Sequence, residues 1–285
     1  MSEAGELLTE WLNAECGYFV RGTRCLEKFR SRFQEVEVWQ TQAYGILFRL
    51  DGSFMTSEAD EFFYHENLVH VPAITHPGPQ TALVIGGGDG GSAEELLKHP
   101  GIRQVTVVEL DPAVVDISRK YLHAVHRGAL DDSRVVVKIA DGLAYIRESR
   151  ERFDLIVLDL TDPGGPSEPL YTTEFYRDCA ARLAPGGALS LHIASPVARP
   201  ERLRQGVANL RAAFAIVRPY LVTVPLYGAL WAMACASASL DPIRLDAAEV
   251  DRRLESRRIG QLRYYNGDTH NAMLALPNFV RELLS

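Results

Sequence analysis

Residues 82–111, ALVIGGGDGGSAEELLKHPGIRQVTVVELD, constrain the fold more than any other stretch of this 285-residue chain. Leu83, Val84 and Ile85 form the short apolar run that a parallel strand buried on both faces requires. From Gly86 to Gly91 the chain can turn tightly and let other backbone approach, because its glycines carry no Cβ. Residues 92–97, SAEELL, open a helix whose early carboxylates suit its positive end. A second strand over 105–108 runs into Glu109, Leu110 and Asp111. This order begins a doubly wound α/β sheet, which binds nucleotide-like ligands at the carboxyl ends of its strands.

The loop spacing admits two ligand classes. Gly86, Gly88 and Gly91 fit G-x-G-x-x-G, with Glu109 at the distance of a ribose-binding acid. Charge argues against a pyrophosphate: Asp89 sits inside the loop, and no Lys or Arg occurs between Thr81 and Leu97. An anion at a helix N-terminus needs donors and positive potential. A cationic, phosphate-free nucleoside, such as a sulfonium derivative of adenosine, fits better. The net charge of −7 points the same way, favouring cationic substrates over nucleic acid or anionic membranes.

Before this stretch, residues 6–12 are expected to form a short helix anchored by Trp11 and Phe19. Val36 and Val38 alternate with Glu35 and Glu37, the pattern of a half-buried strand over 34–39. A second strand over 46–50 meets Asp51-Gly52, a strong hairpin signal, before a third over 53–56. Residues 57–71 read as helix and Pro77-Gly78-Pro79 as a linker. The expected division is therefore a small N-terminal antiparallel β domain over 1–75 and an α/β domain over 76–285.

Beyond the glycine loop, strands and helices alternate regularly. Strands are expected over 135–139, 154–158, 188–192, 220–224 and 230–234, and helices over 114–122, 143–148, 173–183, 201–214 and 247–257. The sheet is mostly parallel. A hydrophobic content of 47% and a charged content of 24% describe a globular chain with ample core. Cys16, Cys25, Cys179 and Cys235 show no metal-ligand spacing and read as reduced thiols. No apolar run approaches membrane-spanning length and no signal peptide is evident, so the expected location is the cytoplasm.

Strand after strand ends on an acid: Glu109 with Asp111, then Asp141, then Asp159. A single aspartate after a strand is as readily a helix cap. A row of them at one rim, joined by Asp89 from the loop, is harder to explain by capping. A carboxylate at Glu109 can accept both ribose hydroxyls, Asp141 can accept from an adenine amine, and Asp89 can pair with an ammonium. Asp159-Leu160-Thr161-Asp162-Pro163 adds Asp162, three residues after Asp159, beside the nucleoside loop. Like charges gathered this closely repel unless the ligand is a cation. No histidine or further carboxylate has the spacing to complete a metal cage. His65 and His70 are five apart, one too many for a zinc helix. His99, His123, His126 and His270 read as surface or capping residues. His192 ends a strand at the acidic rim, as either a site residue or a core histidine.

Taken together, GGGDGG, ELD, ADG and DLTDP, preceded by DGSFMTSEADEFFYHE, resemble the polyamine aminopropyltransferases, the spermidine synthase family. The likeness runs from about Trp11 to the C-terminal YYNGDTHNAMLALPNFVRELL. It implies a Rossmann-like, class I methyltransferase-type sheet with a small N-terminal β domain, assembled as a homodimer or homotetramer. It implies transfer of an aminopropyl group from decarboxylated S-adenosylmethionine, a co-substrate, to a polyamine, with methylthioadenosine released and no cofactor or metal.

Carried over by motif, the glycine loop from Gly86 holds the donor, Gln34 and Glu109 its ribose, Asp141 with Gly142 its adenine, and Asp89 its ammonium. Asp159 matches the base that takes a proton from the attacking amine, and Tyr64 the tyrosine that works with it. His65 lies near the reacting groups. Asp162 matches the anchor of the acceptor's far ammonium, while Tyr227 and Trp11 look like the aromatics lining its pocket. Met55 and His192 stand where glutamines are usual, both on the acceptor side. The expected reaction is that of spermidine synthase, with putrescine as acceptor. Alternatives are another acceptor such as spermidine or agmatine, an S-adenosylmethionine-dependent methyltransferase, or a non-catalytic nucleoside-binding homologue. Residues 163–169, rich in Pro and Gly, read as a lid over both substrates.

Overall fold

A computed structural model describes residues 5–163 and 165–285. Near its amino end, β-branched and aromatic residues alternate with charged ones, and an antiparallel sheet results. Its strands β1 (Glu6–Trp11), β2 (Gly17–Arg30), β3 (Glu35–Thr41), β4 (Gly45–Leu50) and β5 (Ser53–Ser57) lie side by side in chain order. The Asp51-Gly52 hairpin forms as expected, with φ of 46° and 83°, the left-handed pair that a two-residue turn matching strand twist needs.

Residues 6–12 correct the expectation of a helix. β1 pairs with β2 from Glu6 opposite Gly22 to Trp11 opposite Gly17. Leu8 alone of this strand is buried, against Val20, Trp39 and Leu47, so tertiary pairing overrides the helical propensity of ELLTEW. Trp11 and Phe19 anchor no helix here: they are 63% and 62% exposed.

The second sheet alternates with helices. Its elements are α1 (Glu61–Thr75), β6 (Thr81–Gly86), α2 (Gly91–Leu97), β7 (Gln104–Glu109), α3 (Pro112–Tyr121), α4 (His123–His126), β8 (Val135–Ile139), α5 (Gly142–Glu148) and β9 (Phe153–Asp159). There follow α6 (Thr173–Arg182), β10 (Leu183–Ala194), α7 (Pro200–Arg211), β11 (Ile216–Val224), β12 (Ala229–Ser237), α8 (Ala247–Ser256), α9 (Gly267–Leu274) and α10 (Asn278–Leu283). The strand order is β11-β12-β10-β9-β6-β7-β8, with β12 antiparallel to both neighbours and the other pairings parallel. This is the mostly parallel, class I methyltransferase-type sheet expected. Helices α9 and α10 are additions to the expected elements.

Alternate residues of the central strands feed two cores. Val84 and Val157 point to one, with Leu68 of α1, Leu96 of α2 and Val250 of α8. Leu83, Ile85, Ile156 and Leu158 point to the other, with Ile146 of α5, Phe175 of α6 and Leu203 of α7. The chain leaves β6 toward β7 and β8 on one side and returns to β9 on the other. A crevice therefore opens at the carboxyl ends of β6 and β9, where strand order reverses.

Three histidines expected at the surface or in caps are buried instead: His99, His126 and His270 are 1%, 3% and 0% exposed. Each has a partner. His99 Nε2 lies 2.9 Å from His70 Nδ1, His270 Nδ1 lies 2.7 Å from the Tyr265 hydroxyl, and His126 Nδ1 accepts from the Gly128 amide. Such pairing offsets the cost of taking a polar ring out of water. All four cysteines are free thiols. Among the described residues no helix is long and apolar enough to cross a membrane.

Candidate active site

The site grows from one register pair. Gly86 at the end of β6 stands opposite Asp159 at the end of β9, and the Gly87 amide donates to the Asp159 carbonyl at 2.9 Å. Gly86 has φ of 78°, and a Cβ there would collide with that carbonyl oxygen, so this position requires glycine. The loop then turns Asp89 inward, where its Oδ1 accepts from the Gly91 amide at 3.0 Å. Ser92, in the first turn of α2, donates its hydroxyl to Asp159 Oδ2 at 2.7 Å.

α1 brings Glu61, Tyr64 and His65 to the same place. His65 lies between acids, with Nδ1 3.0 Å from Glu61 Oε2 and Nε2 3.4 Å from Asp89 Oδ2 and 4.0 Å from Asp159 Oδ2. Burial alone would lower its pKa, but Asp89, Glu61 and Asp159 outweigh that and hold it well above the usual imidazole value. Burial likewise works to raise Asp89, and the facing imidazolium carries it below the ordinary carboxylate value. Burial and then the Asp89 charge push Asp159 upward. Tyr64 is raised by burial first and by Asp159 second. Arg127 completes the cluster, 2.8 Å from Glu61 Oε1 and 3.1 Å from Glu94 Oε2.

Linear spacing indicates no metal cage. The fold nevertheless gathers ligand-type atoms of His65, Asp89 and Asp159 within 4.8 Å of one another. The three come from α1, the glycine loop and β9, a convergence no linear spacing reveals. Here the imidazolium itself supplies the positive charge between the carboxylates.

Glu109 closes the other side. Its oxygens accept from the Gly88 amide at 3.2 Å and the Asp111 amide at 2.9 Å, while burial raises its pKa to about 7. Asp111 and Asp141 are the N-caps of α3 and α5, accepting from Ala113 and Leu143, so the capping reading holds for both. Gln34 reaches across from the first sheet and donates to Asp111 Oδ2 at 3.1 Å, next to Glu109. Gln34, Tyr64, His65, Gly86, Asp89, Glu109, Asp141, Gly142, Asp159 and Tyr227 together line one cleft.

A second cavity adjoins it and shares Gln34, Leu50, Met55 and Thr161 with it. Trp11 and Asp162 line this second space. His192 lines neither, but is held beside them. The Trp231 indole N–H, which can only donate, points to His192 Nδ1 at 3.1 Å. The ring therefore carries its proton on Nε2, 2.9 Å from the Tyr171 hydroxyl, which donates onward to the Thr161 carbonyl at 2.8 Å. His192 also packs near Tyr64, with ring centroids 5.9 Å apart. Tyr227 donates to the Met55 carbonyl at 3.0 Å and packs edge-on to Tyr64.

Every residue singled out from sequence thus falls in or beside two adjoining cavities. Sequence reasoning missed Ser92, Glu61, Arg127, Glu10 and Tyr171. A serine at the start of a helix reads as a local capping residue, and nothing in the linear order joins it to Asp159, 67 residues later. For the lid over 163–169, Gly164 lies outside the described residues. From Gly165 to Tyr171 the chain forms a 3₁₀ segment whose Ser167 hydroxyl donates to the Asp162 carbonyl at 2.8 Å.

Comparison with known proteins agrees with this architecture. The spermine/spermidine synthase domain is matched over residues 61–244. The polyamine aminopropyltransferase of Nitrosomonas europaea is 50% identical over 284 residues, all of this chain and 87% of that protein. That of Moorella thermoacetica is 41% identical, covering 93% of this chain and 91% of its own. A crystal structure of spermidine synthase in complex with the transition state analogue AdoDATO superposes with a TM-score of 0.93 at 34% identity, covering 100% of this chain and 96% of the other. Spermidine synthase from Thermotoga maritima gives 0.92, again at 34% identity and with the same coverage.

The chain belongs to the spermine/spermidine synthase family. Within that family it is an enzyme, an aminopropyltransferase.

Proposed function

We propose that the protein is a spermidine synthase, moving the aminopropyl group of decarboxylated S-adenosylmethionine to putrescine. The observation that carries this reading is the convergence of Asp89, Glu109, Asp141, Asp159 and Asp162 on two adjoining cavities. So many acids in a partly buried space suit two cationic substrates bound together.

In this reading the adenosine lies along the glycine loop, with Glu109 and Gln34 at its ribose and Asp141 with Gly142 at its adenine. Asp89 pairs with the ammonium of the aminopropyl tail. The acceptor crosses beneath Tyr64, one end at Asp159 and the other at Asp162. These two carboxylates are three residues apart, at most about 10 Å along the chain, a span suited to a short diamine. An alkylammonium has a pKa of about 10 and cannot attack while protonated. Asp159 takes that proton as the nitrogen lone pair attacks the carbon next to sulfur. The carbon–sulfur bond breaks with its electrons on sulfur, leaving neutral methylthioadenosine. The sulfonium is already an activated leaving group, so alignment of nitrogen, carbon and sulfur is the main demand on the protein.

S-adenosylmethionine itself carries an additional carboxylate on the tail, which would face Asp89 and Asp159. That like-charge contact favours the decarboxylated donor over a methyltransferase reading. We further propose a cytoplasmic homodimer or homotetramer that needs no cofactor. The test is a product assay with decarboxylated S-adenosylmethionine against putrescine, spermidine and agmatine, and with S-adenosylmethionine as control donor. Spermidine and methylthioadenosine from the first pair are the expected products. Methylated product from the control donor would replace this reading.

A further inference from the structure

The second cavity is lined by charges of both signs. Asp162, Asp51 and Glu10 border it, and so do Arg199 and Arg202. Both arginines are half-buried and belong to the start of α7, Arg199 as its N-cap and Arg202 three residues on. Cations there oppose the positive end of the helix, so neither serves helix stability. Neither forms an ion pair with a carboxylate among the described residues. Glu201, the acid beside them, is taken by Arg204 at 2.6 Å. Arg199 donates to the Leu12 carbonyl at 2.5 Å, and Arg202 makes no hydrogen bond or ion pair among the described residues. An unpaired, half-buried guanidinium lining a cavity in an otherwise acidic site calls for a reason beyond packing.

Glu10 does not offset them. Its Oε2 is committed to the Phe54 amide at 2.6 Å, and burial raises its pKa to about 7, so it is a weak anion at neutral pH. Asp51 accepts from the Glu35 amide at 2.8 Å and lies 4.0 Å from Arg30, which leaves Asp162, 3.6 Å from His192 Nδ1, as the acid beside the space shared with the donor cleft. A diamine held at Asp159 and Asp162 ends there. A triamine would carry its next ammonium further into the cavity, toward the two guanidiniums.

We propose that Arg202, together with Arg199, is a specificity determinant that limits the acceptor to a diamine by repelling a third ammonium. Specificity then comes from a built-in repulsive contact as well as from the attractive ones. This rests on the aminopropyl-acceptor reading above and names the acceptor class it admits.

The experiment measures kcat/KM for putrescine and for spermidine as acceptors, in the wild type, Arg202→Ala and Arg202→Glu, at two ionic strengths. Among the described residues Arg202 has no polar partner to lose, and circular dichroism with thermal melting checks that each variant is folded. The expected result is a wild-type preference for the diamine that narrows about tenfold or more in Arg202→Glu, and less in Arg202→Ala, as a like charge is removed and then reversed. Added salt should narrow the wild-type preference and leave Arg202→Ala less moved, because the variant has lost one of the charges to be screened. Equal use of both amines by the wild type, or a ratio unchanged in Arg202→Glu, would overturn the proposal while leaving aminopropyl transfer intact. Failure of the wild type to use any amine would instead remove the acceptor reading, and this proposal with it.

Discussion

Ser92 donates its hydroxyl to Asp159 Oδ2 across 2.7 Å, joining the first turn of α2 to the end of β9. The bond favours the charged form of a carboxylate that burial and Asp89 otherwise push toward protonation. A proton acceptor must be charged to act, so this hydroxyl bears on the pH range of the reaction.

Replacing Ser92 by alanine is expected to raise the Asp159 pKa further. The acid limb of the kcat/KM profile should then move to higher pH, while the rate on the alkaline plateau changes little. A pH–rate series on both proteins decides this, and a limb that stays in place or moves to lower pH contradicts the assignment.

Asp159→Asn removes the proton acceptor and keeps the side-chain shape. Transfer should fall by about 100-fold or more, the usual contribution of a positioned base. Donor affinity, measured by titration calorimetry, should remain within reach of the wild type. Near-normal turnover in this variant would shift the base role elsewhere.

Glu10 makes a prediction about stability. Its pKa rises from 4.5 to about 7 on folding, chiefly through burial. The folded state therefore binds that proton more tightly than the unfolded chain, and the stabilisation is full below pH 4.5 and lost as pH rises through about 7. Glu10→Gln keeps a carbonyl oxygen for the Phe54 amide and cannot ionise. At about pH 8 it should be more stable than the wild type by about 1–2 kcal/mol, after discounting for solvent access. Near the unfolded-state pKa of 4.5 the two proteins should melt alike. Thermal scans at both pH values check the sign as well as the size.

Gly91 is a steric test of the histidine cluster. A Cβ at this position would collide with the His65 ring, nearest its Cε1. Gly91→Ala should displace the imidazole from Glu61 and Asp89, costing about 1–3 kcal/mol of stability as overpacking does, together with most of the activity. Retention of both would mean that the ring moves aside freely.

Much of this architecture is legible in linear order. The alternation after Pro79 recovers every strand of the second sheet, because buried parallel strands are short apolar runs bounded by turn residues. Asp51-Gly52 identifies the hairpin for a similarly local reason, the left-handed backbone it must adopt. ELLTEW is different. Its periodicity is too short to separate helix from strand, and pairing with β2 decides in favour of the strand. The histidines show the same limit: His99 and His270 become core residues through partners 29 and 28 positions away.

Which acids stand at strand ends follows from the order of residues alone, because a strand, a turn and a helix start each have a local signature. The family follows too, because DEFFYHE, GGGDGG and DLTDP occur together in one chain. That Ser92 meets Asp159, that Asp89 reaches His65, and that Arg202 borders the cavity beside Asp162 are matters of three-dimensional packing. Those relationships join segments far apart in the chain. They depend on how α1, α2 and α7 seat at the sheet edge, and such seating leaves no periodic trace along the polypeptide.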